Sequence, residues 1–272
     1  MPDIKDFKQK ARQLRIDILE TIANAGSGHP GGSLSCVEIL ISLYFYKLRP
    51  VPQNPAWADR DRFIMSKGHA SAALYTTLAS CGYFPKEELR NFRKLGSRLQ
   101  GHVYAGVPGV EFSTGALGEG LSVANGMALG AKIRKKDFKV YCLLGDGEMQ
   151  EGQVWEAAMT AAQHKLDNLC AIVDYNGVQQ NGPVAQIKNE EPLAGKLRDF
   201  GWNTLDINGH DFDDIIKALD LSGKIKDKPT FIAARTIKGK GVSFMEGDPG
   251  WHGKAPNGDE LSKALEEIKE KI

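Results

Sequence analysis

The sequence predicts an α/β fold, a doubly wound parallel sheet flanked by helices, folded as one domain over residues 1–272. Three observations lead there. Five short apolar runs, "RFIMS", "KVYCLLG", "NLCAIVDY", "WNTLDIN" and "PTFIAARTI", are separated by stretches long enough for a crossover helix. Most of these runs are apolar throughout instead of alternating with polar residues, as expected of parallel strands covered on both faces. No internal repeat and no low-complexity linker divides the chain.

The elements follow in order. Ile4, Phe7, Ala11, Leu14, Ile18 and Ile22 recur at helical spacing and the pattern stops at Gly26, so a first helix is expected over 3–25. A second is expected after "GSGHPGGS", with Ser35 and Glu38 spaced as a capping box. Helical patterns near 70–81, 119–135, 151–165, 190–200 and 211–222 alternate with the strands. Asp211 is placed to cap the last of these, which gives the neighbouring His210 a structural role. The chain ends in a helical tail, 259–272, whose Leu261, Leu265 and Ile268 share a face suited to docking on this domain or on a partner.

Composition narrows the function. With 35 basic and 34 acidic residues the net charge is +1, which argues against a nucleic-acid or anionic-membrane partner. The N-terminus carries scattered charges without a signal-type apolar core, and no stretch approaches a membrane span, so a cytoplasmic protein is expected. Cys36, Cys81, Cys142 and Cys170 form no C-x-x-C pair and read as free, largely buried thiols.

In an open parallel sheet, ligands bind outside the carboxyl ends of the strands. The residues at those ends are His69, Asp146, Asn176 and Lys238, which are therefore expected on one edge. A carboxylate and an amide oxygen on neighbouring strand ends suit a hard cation such as Mg2+ completed by phosphate oxygens. Gly145 and Gly147 admit a ligand close to the backbone, and the helix opening at Glu151 offers N–H groups to a diphosphate. Five of the six histidines touch a glycine, and His29, His69, His102 and His252 sit in loops where imidazole can hydrogen-bond a polyol or move protons. His164 falls inside a helical pattern and reads as a plain surface residue. "STGALGEG" lacks the order of a dinucleotide fingerprint, so NAD binding is not expected, and Gly115, Ala116 and Leu117 are read as a wall against a ring.

Taken together these blocks resemble transketolases. "GDGEMQEGQVWEA" and "VDYNGVQQNG" match the thiamine-diphosphate motif, with Asn176 lying 30 residues after Asp146. "SGHPGGSLS", "SKGHASAALY", "QGH", "STGALGEGLS" and "KGKGVSFMEGDPGWHGK" extend the resemblance over nearly the whole chain. The resemblance implies thiamine diphosphate and Mg2+, or Ca2+ or Mn2+ in its place. Asp146, Asn176 and the Val178 carbonyl would be the metal ligands, and His69, Gly147, Asn176, Lys238 and His252 would contact the cofactor, with Gly115, Ala116 and Leu117 at its rings. His29, His102 and His252 would face the sugar as catalytic groups. Ala116 stands where many members carry proline.

The family's pyrimidine-binding domain, with its activating glutamate, has no counterpart before the chain ends shortly after "WHGK". The resemblance thus implies the N-terminal subunit of a split transketolase, which acts on sugar phosphates in an α2β2 assembly with a separate C-terminal subunit. Two other readings are distinguishable. An E1 α-type subunit of a 2-oxo acid dehydrogenase shares the Gly-Asp-Gly but gives no reason for the histidine blocks, and a non-catalytic binding module gives none for an intact Asp146 and Asn176.

Overall fold

The computed structural model describes residues 2–271. Helix α1, Ile4–Ala25, begins where the Asp3 carboxylate accepts the Lys5 and Asp6 amides and ends at Gly26, whose φ of 63° lies in the left-handed region. Next come α2 (Pro30–Leu34) and α3 (Val37–Ser42), then β1 (Arg62–Met65), α4 (Ser71–Ser80), α5 (Glu119–Ile133) and β2 (Val140–Gly145). The chain continues through α6 (Gly152–Gln163), β3 (Leu169–Tyr175) and a small hairpin of β4 (Val178–Gln179) and β5 (Gly182–Pro183). It ends with α7 (Val184–Ile187), α8 (Leu193–Asp199), β6 (Asn203–Asn208), α9 (Phe212–Ser222), β7 (Thr230–Arg235) and α10 (Gly258–Lys271).

The five expected strands form one sheet in the order β1-β2-β3-β7-β6, and every pairing is parallel. Strands β1, β2, β3 and β7 are buried almost throughout, while β6, at one edge, is only partly covered. Two apolar layers enclose the sheet. On one face Ile18 and Ile22 of α1, Leu40 of α3, Leu78 of α4 and Leu219 of α9 pack together. On the other, Ala124 and Ala128 of α5, Val154 and Ala158 of α6, and Leu197 of α8 form a second cluster. The alanines let α5 and α6 approach each other and the sheet closely, in keeping with crystal-like interior packing.

This layering places the ligand crevice. The segments leaving β1 and β7 lead to α4 and α10 on the first face, whereas those leaving β2 and β3 lead to α6 and α8 on the second. Neighbouring loops therefore part above the carboxyl edge of the sheet, and a cleft opens between them.

Several local expectations are revised. The Ser35/Glu38 capping box does not form: Ser35 Oγ donates to Asp174 and Glu38 pairs with Arg15, while Cys36 stands at the N-cap of α3 and gives it no side-chain cap. Both side chains have charged tertiary partners, which a neutral backbone amide does not outcompete. The second helix is accordingly broken into α2 and α3. Asp211 does cap α9, accepting from the Asp213 and Asp214 amides. The tail docks on this domain, where Ala264 and Ile268 are buried in the first cluster and Leu261 packs against it; Ile272 lies outside the described residues. Cys36, Cys142 and Cys170 are buried, Cys81 is half-buried, and all four thiols are free. Among the described residues no helix is long and apolar enough to cross a membrane.

Candidate active site

The strand ends meet as expected. A cavity of about 360 Å³ is lined by His69 after β1, Asp146 and Gly147 after β2, Asn176 and Val178 after β3, and Lys238 after β7. His29, His102 and His252 complete its rim, and Gly115 and Leu117 form part of the wall; Ala116 is exposed beside them and does not line the space. Residue types scattered over most of the chain thus converge on one volume.

The histidines form a single group. The His29 ring lies 5.4 Å from His69, 5.7 Å from His102 and 5.5 Å from His252, centroid to centroid, and His69 and His252 are 5.0 Å apart. Burial, reinforced by neighbouring rings and cations, lowers the pKa of each, to about 4 for His29 and His252 and well below the ordinary value for His69. The pKa of His102 is lowered too, by burial first and then by the nearby Arg93 charge. All four are neutral at pH 7 and offer both a donor and an acceptor nitrogen. Among the described residues, buried Nδ1 of His29 has no partner, an orphan that calls for a ligand atom.

The floor is built on charge. Lys67, just after β1, and Asp174, in β3, are both fully buried and form an ion pair. Ser35 and Thr236 also donate to the Asp174 carboxylate, and Lys67 donates to the Gly32 carbonyl at 2.8 Å. Burial pushes Asp174 up, but the Lys67 charge and these hydrogen bonds outweigh it, so its pKa ends below the usual carboxylate range. Glu148 closes the adjoining turn, accepting from Ser66 and from the Gly118 and Gly145 amides at 3.0 Å. Spacing rules did not single out Lys67, Asp174 or Glu148 as functional. Their signal was a charge inside or beside an apolar strand, since such a group must find a partner when buried.

Asp146 is different. Among the described residues its hydrogen-bond partners are the Gly147 amide, 2.8 Å from Oδ1, and the Gly177 amide at Oδ2. Burial and the neighbouring Asp174 raise its pKa to about 6. Asn176 Oδ1 accepts the Val178 amide at 3.1 Å, and the Val178 carbonyl accepts Lys238 Nζ at 2.8 Å. Lys238 also donates to His252 Nδ1 at 3.0 Å, and burial lowers its pKa to about 8. One carboxylate, one amide and one carbonyl are hard oxygen donors, and each retains an unused lone pair. No group of three or more His, Cys, Asp or Glu side chains among the described residues is arranged to hold a metal alone. A cation on this set needs ligand oxygens to complete its shell, which suits a diphosphate.

Close backbone approach shapes the remainder. A Cβ on Gly32 would lie 2.8 Å from His69 Nε2, and one on Gly68 would lie 2.8 Å from the Thr114 backbone. The helix terminus expected at Glu151 is not part of the wall; the tight turn Gly147–Gln150 stands there, and α6 starts behind it. His210 and His164 lie outside the cavity, and His210 is held by Glu38 and by the Ile237 amide.

A cleft at the carboxyl edge of a parallel sheet, with a hard-donor cradle on its floor and neutral histidines at its rim, defines a cofactor-binding enzyme domain of the phosphate-ligand type. Comparison with known proteins places it. Residues 6–269 match the family model described as transketolase, thiamine diphosphate binding domain. The chain is 42% identical over 269 residues to an apulose-4-phosphate transketolase subunit of Phocaeicola vulgatus, covering 99% of this chain and 96% of that one. It is 44% identical over 243 residues to a 6-deoxy-6-sulfo-D-fructose transketolase subunit of a Clostridium species, covering 89% and 88%. It also superposes on the crystal structure of Campylobacter jejuni transketolase with a TM-score of 0.94 and 39% identity, covering 98% of this chain and 43% of that one. The chain belongs to the transketolase family, within its thiamine-diphosphate-binding domain. These matches favour the transferase over the dehydrogenase-type and non-catalytic readings.

Proposed function

We propose that this chain is the N-terminal subunit of a two-chain transketolase, a transferase that moves a two-carbon ketol unit from a ketose phosphate to an aldose phosphate. The single observation that carries the reading is the union, in one cavity, of the Asp146, Asn176 and Val178 oxygen set with four neutral histidines. Relatives named as separate subunits are matched over 96% and 88% of their length, against 43% for the one-chain transketolase, which supports a second chain supplying the pyrimidine-binding domain. An α2β2 assembly in the cytoplasm is the form proposed.

When bound, thiamine diphosphate supplies the electron sink that lets the ketose C2–C3 bond break. The chain's own residues do the rest. Asp146, Asn176 and the Val178 carbonyl would hold Mg2+, or Ca2+ or Mn2+, for a diphosphate to complete its shell. Lys238, which donates to the Val178 carbonyl and to His252 Nδ1, would supply its positive charge to a phosphate oxygen of the cofactor. Gly147 leaves room for the diphosphate, His69 and His252 would donate to it, and Gly115 and Leu117 would flank the rings, with Ala116 outside the cavity. His29, His102 and His252 hydrogen-bond the sugar hydroxyls, and being neutral they can give a proton to one oxygen and take one from another. A metal held on the oxygen set would supply charge to anchor the diphosphate. The two relatives made as separate chains are named for different sugars and share the ketol transfer, and the histidines fit that shared step.

The test is a titration of thiamine diphosphate and Mg2+ into the chain with and without its candidate partner, followed by ketol transfer from xylulose 5-phosphate to ribose 5-phosphate. Activity only in the mixture is expected. Cofactor binding with turnover of a 2-oxo acid in place of the ketose phosphate would overturn the proposal.

A further inference from the structure

Residues 236–239 run from the end of β7 past the cavity lysine; besides backbone bonds such as the Thr236 amide to the Tyr175 carbonyl at 3.2 Å and the Gly247 amide to the Lys238 carbonyl at 2.9 Å, three contacts tie them to the elements around the cavity. Thr236 Oγ1 donates to Asp174, and the Gly239 amide donates to the Gly31 carbonyl at 2.9 Å. Between them the Ile237 amide donates to Nε2 of His210 at 2.9 Å. The first two contacts reach residues just behind the cavity wall, Asp174 paired with Lys67 and Gly31 next to Gly32. The third comes from outside it, from the loop joining β6 to α9.

His210 accepts at Nε2 only when the proton of its neutral ring sits on Nδ1. That nitrogen lies 3.0 Å from Glu38 Oε2. Glu38 is itself held by Arg15 at 2.7 Å, and Arg15 Nε donates to the Lys240 carbonyl at 3.0 Å. Arg15 and Glu38 are both buried. This chain of side chains therefore selects one tautomer of His210 and grips the backbone on both sides of Lys238, at 237 and at 240. His210 does not touch the site: it borders a separate crevice with Lys8, Arg15, Phe212 and Lys240.

We propose that His210 is a positioning residue for Lys238: with its tautomer set by Glu38, it fixes the Ile237 amide and so aims the Lys238 ammonium into the cavity. The inference rests on the reading of Lys238 as a diphosphate contact. Its role differs from the cap-side filler that the position beside Asp211 suggests, because the bond it accepts belongs to the backbone neighbouring a cavity residue.

Two near-isosteric substitutions separate this from bulk packing. The carbonyl of glutamine in His210→Gln reaches about as far as Nε2 and keeps an acceptor for Ile237. The shorter asparagine in His210→Asn reaches only about as far as Nδ1 and leaves that amide without a partner. In the cofactor-free chain, hydrogen exchange at the Ile237 amide should speed on the order of tenfold in His210→Asn and stay near wild type in His210→Gln. Calorimetric titration of thiamine diphosphate with Mg2+ into the chain assembled with its partner should show Kd raised roughly tenfold by His210→Asn, restored to within about twofold by His210→Gln, with kcat at saturation little changed. On a Lys238→Met background, His210→Asn should add nothing to the loss of affinity. Unchanged exchange and affinity in His210→Asn would overturn the proposal, as would equal losses in both variants with matching falls in Tm. If Lys238→Met alone leaves the affinity intact, the reading of Lys238 is what fails, and the exchange result then reports the His210 contact separately.

Discussion

Asp146 and Asp174 sit at the ends of adjacent strands, both deeply buried, and their carboxyl groups are driven in opposite directions. Asp174 receives Lys67, Ser35 and Thr236, so its charge is fully compensated within the chain. Asp146 receives two backbone amides and, among the described residues, no cation, so burial dominates and the charged form is disfavoured. One register step decides which is which. Gly145 pairs with Asp174 across the sheet, which leaves Asp146 one residue past the last pairing, facing the cavity, with Asp174 inside the ladder. The pair teaches that a buried acid whose partners are complete belongs to the scaffold, and one whose partners are incomplete is a binding group awaiting its ligand.

Breaking the scaffold member should have the largest effect. Asp174→Asn leaves the Lys67 ammonium buried without its counter-ion, and the expected loss is about 3–5 kcal/mol of folding stability in urea unfolding, enough to unfold much of a marginal domain. Lys67→Met should behave alike from the other side. A wild-type midpoint in either variant would show that the pair is not holding the floor together.

The binding member should separate affinity from stability. Asp146→Asn is expected to weaken thiamine diphosphate binding in Mg2+ on the order of 100-fold by calorimetry, while the metal-free Tm stays at or above wild type. A large Tm loss in that variant would place Asp146 with the scaffold and erase the contrast.

His102 hydrogen-bonds to neither aspartate, which makes it the control for chemistry. His102→Ala should lower kcat by about 10²-fold in the reconstituted enzyme, with cofactor affinity and Tm unchanged. Unaltered turnover would remove His102 from the reaction.

Acid should act most weakly, through the histidines. The pKa values of His29 and His252 are depressed in the fold to about 4, below their unfolded value. A base with a depressed folded pKa contributes stability that is present above the unfolded pKa of 6.5 and is lost as pH falls toward about 4. The cofactor-free chain should therefore lose a few degrees of Tm over that window, and a His29→Gln, His252→Gln double variant should lose less. Identical pH profiles would mean that both rings already charge freely in the fold.

Much of this site was legible because it is written in local chemistry. Glycine-flanked histidines, an Asp-Gly at the end of an apolar run and an Asn-Gly at the end of the next each mark a strand end, and the carboxyl-edge rule then gathers them. The capping box failed for the opposite reason. Ser35 and Glu38 have the right spacing, yet Asp174 and Arg15, 139 and 23 residues away along the chain, claim their side chains. Likewise Glu151 marks a helix start correctly to within a residue, but the cavity is lined by the turn before it. Local spacing specifies a local partner and has no access to a stronger distant one.

By itself, then, the sequence determined the parallel α/β architecture, the family and the residues that gather at the strand ends, because apolar runs, breakers and motif spacing are all short-range. Only the tertiary structure decided which buried charges are closed and which are open. It paired Lys67 with Asp174, gave Asp146 only backbone amides among the described residues, and brought the His210 ring from an outer loop to the amide beside Lys238. The physical reason is that desolvation and charge pairing depend on distance in space, and folding sets those distances between residues that the chain keeps far apart.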